Sequence, residues 1–303
     1  MPSNQKKIKH SFYTKSKIVD RAADIFIYFT IAFLAILCVL PFVHVLAKSL
    51  SSDAKVTSQL VYLIPKDFNL RAYRSVIGDP SMILSLWQTV KVTVIFTALG
   101  MFLTICAAYP LTRKRLKGRN IISVFFIITL YFSGGIIPDY LLMHRLGLLN
   151  KTASLILPLA FSAYNMIIMK TSIQTTVPDS LEESALLDGA NDIRILVQIV
   201  LPLCKPILAT LCLFYAVGRW NAYQDSVFYI TRQPLYLLQH KLNLLIQTTN
   251  TTLTAAEAQP DTVTNPEVIK SACIIFATLP IVIVYPFVQK YFVKGVMIGA
   301  VKG

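Results

Sequence analysis

Several kinds of chemistry are missing from this sequence. It contains no G-x-x-x-x-G-K-[ST] run, the loop whose backbone N–H groups cradle nucleotide phosphates, so ATP hydrolysis of that type must come from another chain. It has no H-E-x-x-H pair and no Ser/His/Asp arrangement, which leaves a membrane-enzyme reading without a nucleophile or a metal site. Its five cysteines, Cys38, Cys106, Cys204, Cys212 and Cys273, form no C-x-x-C pair and lie in or beside apolar stretches, so most of them read as small buried hydrophobes. No short tandem repeat or heptad seam is present, which excludes soluble repeat architectures. Acidic residues are scarce, 15 against 29 Lys and Arg, giving a net charge of +14. That excess sits in short segments beside apolar runs, which favours a topology signal over nucleic-acid binding.

What the chain has in abundance is apolar sequence. Of its 303 residues 55% are hydrophobic, with a mean hydropathy of +0.60, more than one soluble domain could bury, so the natural solvent is a bilayer. A hydrocarbon core calls for about 20 apolar residues per helix. Spans are expected at about 25–47, 88–112, 121–142, 152–173, 203–228 and 269–289, giving an all-α integral membrane protein with six transmembrane helices. Residues 1–24 form a basic segment, and the apolar run after it is too long for a signal-peptide core, so it reads as a retained first helix of a 25–303 membrane domain. Lys6, Lys7, Lys9, Lys15, Lys17 and Arg21, then Arg113, Lys114, Arg115, Lys117 and Arg119, then Lys290, Lys294 and Lys302 fall on one side of six spans. Positive residues resist translocation, so both termini are expected in the cytoplasm. Lys48, Lys55, Lys66, Arg71 and Arg74 in segment 48–85 count against this, offset by Asp53, Asp67 and Asp79. That segment, with Tyr62, Phe68 and Tyr73, is expected to pack as short structure on the outer face, and the polar stretch after Thr248 to form a surface excursion.

The connection between the fourth and fifth expected spans, 177–202, is the most informative stretch. From Val177 to Pro206 it reads VPDSLEESALLDGANDIRILVQIVLPLCKP. Ser180 and Glu183 have the spacing of a capping box, Gly189 stands where a left-handed C-cap would end a helix, and Asn191 or Asp192 can cap the next one. Leu181, Ala185 and Leu186, with Leu187 nearby, make one apolar side. A helix, a glycine turn and a second helix entering the membrane are therefore expected. An ordinary amphipathic connector would satisfy the same signs.

Glu183, Ser184 and Ala185, then Gly189, then Ile199, Leu201 and Pro202, resemble the EAA signature of ATP-binding-cassette import permeases, with Ser184 in place of the usual alanine. Asp188 to Ala190 (DGA) and Pro178 match the sugar-uptake branch of that family, as do FNLRAYRSVIGD at 68–79 and QKYFVKGVMIGAVKG at Gln289 to Gly303, the latter resembling the ending of the maltose-type G subunit. YFSGGIIPDYLLMHRLGLLN, from Tyr131 to Asn150, resembles the subgroup taking up multiple-sugar, uronate-oligosaccharide and complex-glycan cargo. The resemblance covers nearly the whole chain. It implies the type I importer permease fold, with a coupling helix between helices 4 and 5 that seats on a cytoplasmic ATPase. It further implies that Glu182, Glu183, Ser184, Ala185, Asp188, Gly189 and Ala190 serve coupling, with Glu183 as contact and Gly189 as hinge. The implied partners are a second permease in a heterodimer, two ATPase subunits that hold ATP and Mg, an extracellular sugar-binding protein and lipid of a bacterial cytoplasmic membrane. No cofactor is expected on this chain.

A sugar pathway should mix aromatics with amides and carboxylates. Two stretches fit: Arg219, Trp220, Asn221, Tyr223 and Gln224 near the end of the fifth span, and Tyr131, Asp139 and Tyr140 at an expected helix break marked by Gly134, Gly135 and Pro138. Equally, Trp220, Tyr223 and Tyr140 could be interfacial belt residues, with Arg219 and Asp225 paired or snorkelling at the surface. Two other functions stay open on sequence: the same machinery with a non-sugar cargo, and an ion-coupled secondary transporter, although clear mid-span carboxylates are absent.

Overall fold

In a computed structural model, residues 3–253 and 265–300 are described, with only the backbone for 3–20, 22, 248–253 and 287–300. The end of the polar excursion after Thr248 and the last three residues of the C-terminal motif lie outside the described residues. The described chain is helical, with no strand among its described residues. It divides into two units, 1–74 with 259–275, and 75–258 with 276–303.

In the first unit, α1 (Ser3–Ser49) carries an apolar stretch from Ala23 to Ser49 that is exposed over most of its length, with Phe26, Ile36 and Phe42 all exposed and only Ala47 and Ser49 at its end buried. Only a bilayer or another membrane helix can solvate such a surface. Beyond its end the chain is tied by polar contacts: Lys66 N donates to Ser51 Oγ at 3.0 Å, and Ser49 Oγ bonds the Tyr73 hydroxyl at 2.7 Å. The short helix α2 (Asp53–Thr57) receives Asn265, whose N donates to Asp53 Oδ1 and whose Nδ2 donates to Thr57 Oγ1. Glu267, in the first turn of the last helix (Pro266–Ala300), pairs with Lys48 at 3.0 Å. Segment 48–85 is thus folded into short helices, α2 and then α3 (Arg71–Gly78).

The second unit is organised on α4 (Pro80–Thr112). Its start is set by Asp79, whose side chain accepts from Ser81 N at 2.8 Å, and by Pro80 at the first helical position. At 33 residues it is about 50 Å long, more than enough to cross the hydrocarbon core. Against it pack α7 (Ala163–Thr176) and α11 (Lys205–Asn221), burying Tyr109, Met166, Met169, Ile173, Ile195 and Leu211. The packing is close at Gly100, where a Cβ would come within 2.8 Å of the Tyr215 ring and of the Ala160 carbonyl oxygen. The Tyr215 hydroxyl there bonds Thr104 Oγ1 at 2.7 Å and accepts from Ser162 N at 3.1 Å, joining α4, α7 and α11.

Two expected spans are bent and one is short. The third is α5 (Arg119–Tyr131) and α6 (Ile136–Arg145), which meet at 111° across Phe132 to Gly135, where Gly135 takes φ +88°. The fifth is α11, preceded at 84° by a helix over Asp192–Leu203 that comprises α9 (Asp192–Ile195), a π turn at Leu196–Val200 and α10 (Leu201–Leu203). Pro202 and Pro206 have no N–H to donate, so the ladder cannot run straight through. The region expected as a fourth helix over 152–173 forms a 3-10 turn at Thr152–Leu155, then irregular chain around Pro158, then only 14 residues of α7, about 21 Å. An uninterrupted apolar run fixes burial, but the proline and the Ser162 cap fix where the helix starts.

Candidate functional site

The connection after α7 folds as a short helix with defined ends, α8 (Asp179–Leu187). The expected Ser180–Glu183 capping box does not form. Pro178 is the N-cap residue, with no side-chain cap bond, and Ser180 lies inside the first turn. Pro178 holds φ at −63° and pushes Val177 to extended backbone, which starts the helix one position before Ser180. Asp179 and Glu182 in the first turn offset the exposed N–H groups by charge instead. The other end follows the expectation: Gly189 has φ +76°, Ala190 N donates to Ala185 O at 2.9 Å and Gly189 N to Leu186 O at 3.0 Å, a Schellman closure. Asn191 then caps the next helix, its Oδ1 accepting from Arg194 N at 2.9 Å.

The helix has two faces. Ala185 is buried, with Ala190 packed beside it, on a cluster containing Tyr109, Ile173, Val177 and Ile195. Glu182 turns inward to pair with Arg113, at the end of α4. Glu182 and Ala185, both expected among the coupling residues, seat the helix on its own subunit. Glu183, Ser184, Asp188 and Gly189 are exposed, and Leu187 is 90% exposed at the tip.

Two further ion pairs flank the first. Lys114 meets Asp179 at 2.5 Å, and Arg115 pairs with Asp192. The Arg113 guanidinium lies 4.2 Å from the centroid of the Tyr109 ring, and the Tyr109 hydroxyl donates to Asp192 O at 3.1 Å. Hydrogen bonding and charge attraction hold the Asp179 carboxyl below its ordinary value and the Lys114 ammonium above its own, while burial lowers Arg113. The basic run at 113–115, readable as a topology signal, is thereby also the seat of α8. No local spacing could have shown this, since the partners lie far apart in sequence.

On the other side of the bend in the third span, a cleft of about 470 Å³ brings together Asp139 from α6 and Asn221, Tyr223 and Gln224 from the turn between α11 and α12 (Gln224–Tyr229), with Ser154 on its wall. The other four expected pathway residues do not line it. Tyr131, 88% exposed, and Tyr140, partly exposed, point elsewhere. Trp220 is buried, its Nε1 donating to Ala277 O at 3.3 Å. Arg219 is 2% exposed and grips Asp225 with two bonds of 2.5 and 2.9 Å, while donating to Leu155 O at 3.1 Å. A buried guanidinium needs both partners to offset its lost hydration, so Arg219 and Trp220 build the wall behind the cleft. Among the cysteines Cys204 and Cys273 are buried as expected, whereas Cys38, Cys106 and Cys212 lie exposed on apolar helices.

Residues 12–298 match the family of binding-protein-dependent transport system inner membrane components. The chain is 42% identical over 285 residues to the polygalacturonan/rhamnogalacturonan transport system permease protein YtcP of Bacillus subtilis, covering 94% of this chain and 99% of that protein. It is 41% identical over 265 residues to protein LplC of the same organism, covering 88% and 90%. Among solved structures it superposes on a chain of a bacterial ABC transporter involved in import of the acidic polysaccharide alginate with a TM-score of 0.82 and 32% identity, covering 90% of this chain and 98% of that one.

Proposed function

Because the chain belongs to the binding-protein-dependent inner membrane transport components and is a permease of a sugar or polysaccharide importer, we propose that it forms half of a two-permease pathway for acidic oligosaccharides, driven by partner ATPases. The observation that carries this reading is α8. Its inner face is fixed to α4 by the Arg113–Glu182 pair and by Ala185, and its outer face presents Glu183, Ser184 and the nearly bare Leu187 to a partner. An apolar side chain left in water on a rigid, capped helix fits a pocket in another protein. Movement imposed on α8 by an ATPase dimer that closes on ATP and Mg would pass directly to α4, which runs from that contact through the unit that holds the cleft.

The cargo assignment draws on the relatives, whose names and descriptions concern polygalacturonan, rhamnogalacturonan and alginate, all rich in carboxylates. The cleft supplies two amides, two phenols and two carboxyls, one of them held by Arg219, which suit sugar hydroxyls. An external binding protein would deliver the sugar to that side, with both termini in the cytoplasm of a bacterial cell.

The test is purification of the tagged chain from membranes, followed by reconstitution with what accompanies it. A second multi-span permease and a Walker-motif ATPase should co-purify, and the vesicles should take up trigalacturonate in the presence of ATP. A chain that purifies alone, or uptake that persists on an ion gradient without ATP, would overturn the reading.

A further inference from the structure

Glycine within a helix costs roughly 1 kcal/mol relative to alanine, so it persists where something needs the space. Gly100 meets that need inside the chain, since a Cβ there would strike Tyr215 and a backbone oxygen. Gly218, within α11, does not: a Cβ at this position would have no atom within 4 Å. The space it leaves open is a pocket of about 190 Å³ whose walls include Phe96, Ser162, Asn165, Tyr215 and Arg219.

The lining is not that of a lipid-facing groove. Asn165 is 6% exposed, and Arg219, although forked on Asp225, keeps a buried Nε–H with no partner. Phe96 and Tyr215, with ring centroids 5.9 Å apart at 67°, add aromatic surface of the kind that stacks on a sugar ring. The pocket also adjoins the outer cleft: Leu159 and Ala222 line both, and the Arg219–Asp225 pair stands between them, Asp225 facing the cleft and Arg219 the pocket. Phe96 lies halfway along α4, so the pocket sits deeper in the unit than the turn between α11 and α12.

We propose that the Gly218 pocket is a saccharide subsite that seats one pyranose unit of the cargo after it leaves the outer cleft. Its volume, below the about 300 Å³ of small-molecule sites generally, suits one ring of a longer chain passing through. The proposal rests on the permease reading above.

The test uses the complete importer in proteoliposomes with its binding protein, and follows ATP-driven uptake of trigalacturonate and of neutral raffinose, together with ATP hydrolysis. Gly218→Leu, whose Cβ enters open space, should fill the pocket and should raise the ATP hydrolysed per sugar imported by roughly tenfold while ATPase stimulation by the binding protein is retained. Gly218→Ala, which adds one methyl into open space and favours the helix, should assemble normally and show a smaller effect of the same sign. Wild-type kinetics in Gly218→Leu would overturn the subsite alone. Loss of the second permease from purified Gly218→Leu would also overturn it, assigning the space to a helix of that subunit. Failure of the wild-type importer to take up either saccharide would overturn the functional reading and the subsite with it.

Discussion

At residue scale, the two glycines on α4 and α11 make opposite demands although both are helical. Gly100→Ala should destabilise the protein by about 1–3 kcal/mol, because one of its two contacts at 2.8 Å is the Ala160 backbone oxygen, which cannot swing aside like a side-chain tip. Thermal unfolding in detergent should show the drop, and an unchanged midpoint would contradict the packing at Tyr215. Leu187→Asp tests the outer face of α8. With 90% of the residue exposed, folding and insertion should be unaffected, while ATPase co-purification should weaken by roughly tenfold or more, as for loss of an apolar interface anchor. The EAA resemblance implies Glu183 as the contact, with Glu182 beside it among the coupling residues, and the tertiary structure sets the two on different faces. Glu183 is exposed and Glu182 is consumed by Arg113, a choice made by where Ala185 must be buried.

At the scale of the element, α8 and its seat combine three ion pairs of unequal weight. Arg113 and Glu182 have side chains only 7% and 17% exposed, so removing one partner leaves a poorly hydrated charge. Glu182→Ala should cost about 2–3 kcal/mol, somewhat below the range for fully buried pairs because Glu182 keeps some water, and Arg113→Met in the same chain should recover most of it. The Lys114–Asp179 pair is exposed and tests differently. Its carboxyl is depressed below 3.8 on folding, so the stabilisation is present above that value and is lost as pH falls through the folded-state value. Lys114, raised above 10.5, sets the opposite limit: its share is complete below that value and lost as pH rises through the folded-state one. A thermal-midpoint difference between wild type and Asp179→Asn should therefore exist at neutral pH and vanish in acid well below 3.8. A difference that persists there would remove the pair from the account.

For the whole molecule, the bare apolar surface of α1 and the basic segments at 1–24, 113–119 and 290–302 lead to one expectation about orientation. Reporters fused to either terminus should be active only in the cytoplasm. A periplasmically active C-terminal fusion would mean that one of the irregular apolar regions does not cross, with 152–173 the first suspect, because its only α-helix there begins at Ala163.

The sequence alone determined that this chain lives in a bilayer, where its apolar segments fall, and how α8 ends and the following helix begins. Those features rest on composition or on hydrogen bonds within five residues, such as Ala190 to Ala185 and Arg194 to Asn191, which local spacing encodes. Only the tertiary structure decided that Arg219 and Trp220 stand behind the outer cleft rather than lining it, because Leu155 and Ala277 lie 64 and 57 residues away in sequence. The same holds for the basic run at 113–115 as the seat of α8, and for Gly218 as an opening and Gly100 as a contact. Which group a buried charge or a bare backbone faces depends on helices brought together by folding, and apolar packing fixes that arrangement without leaving a local trace.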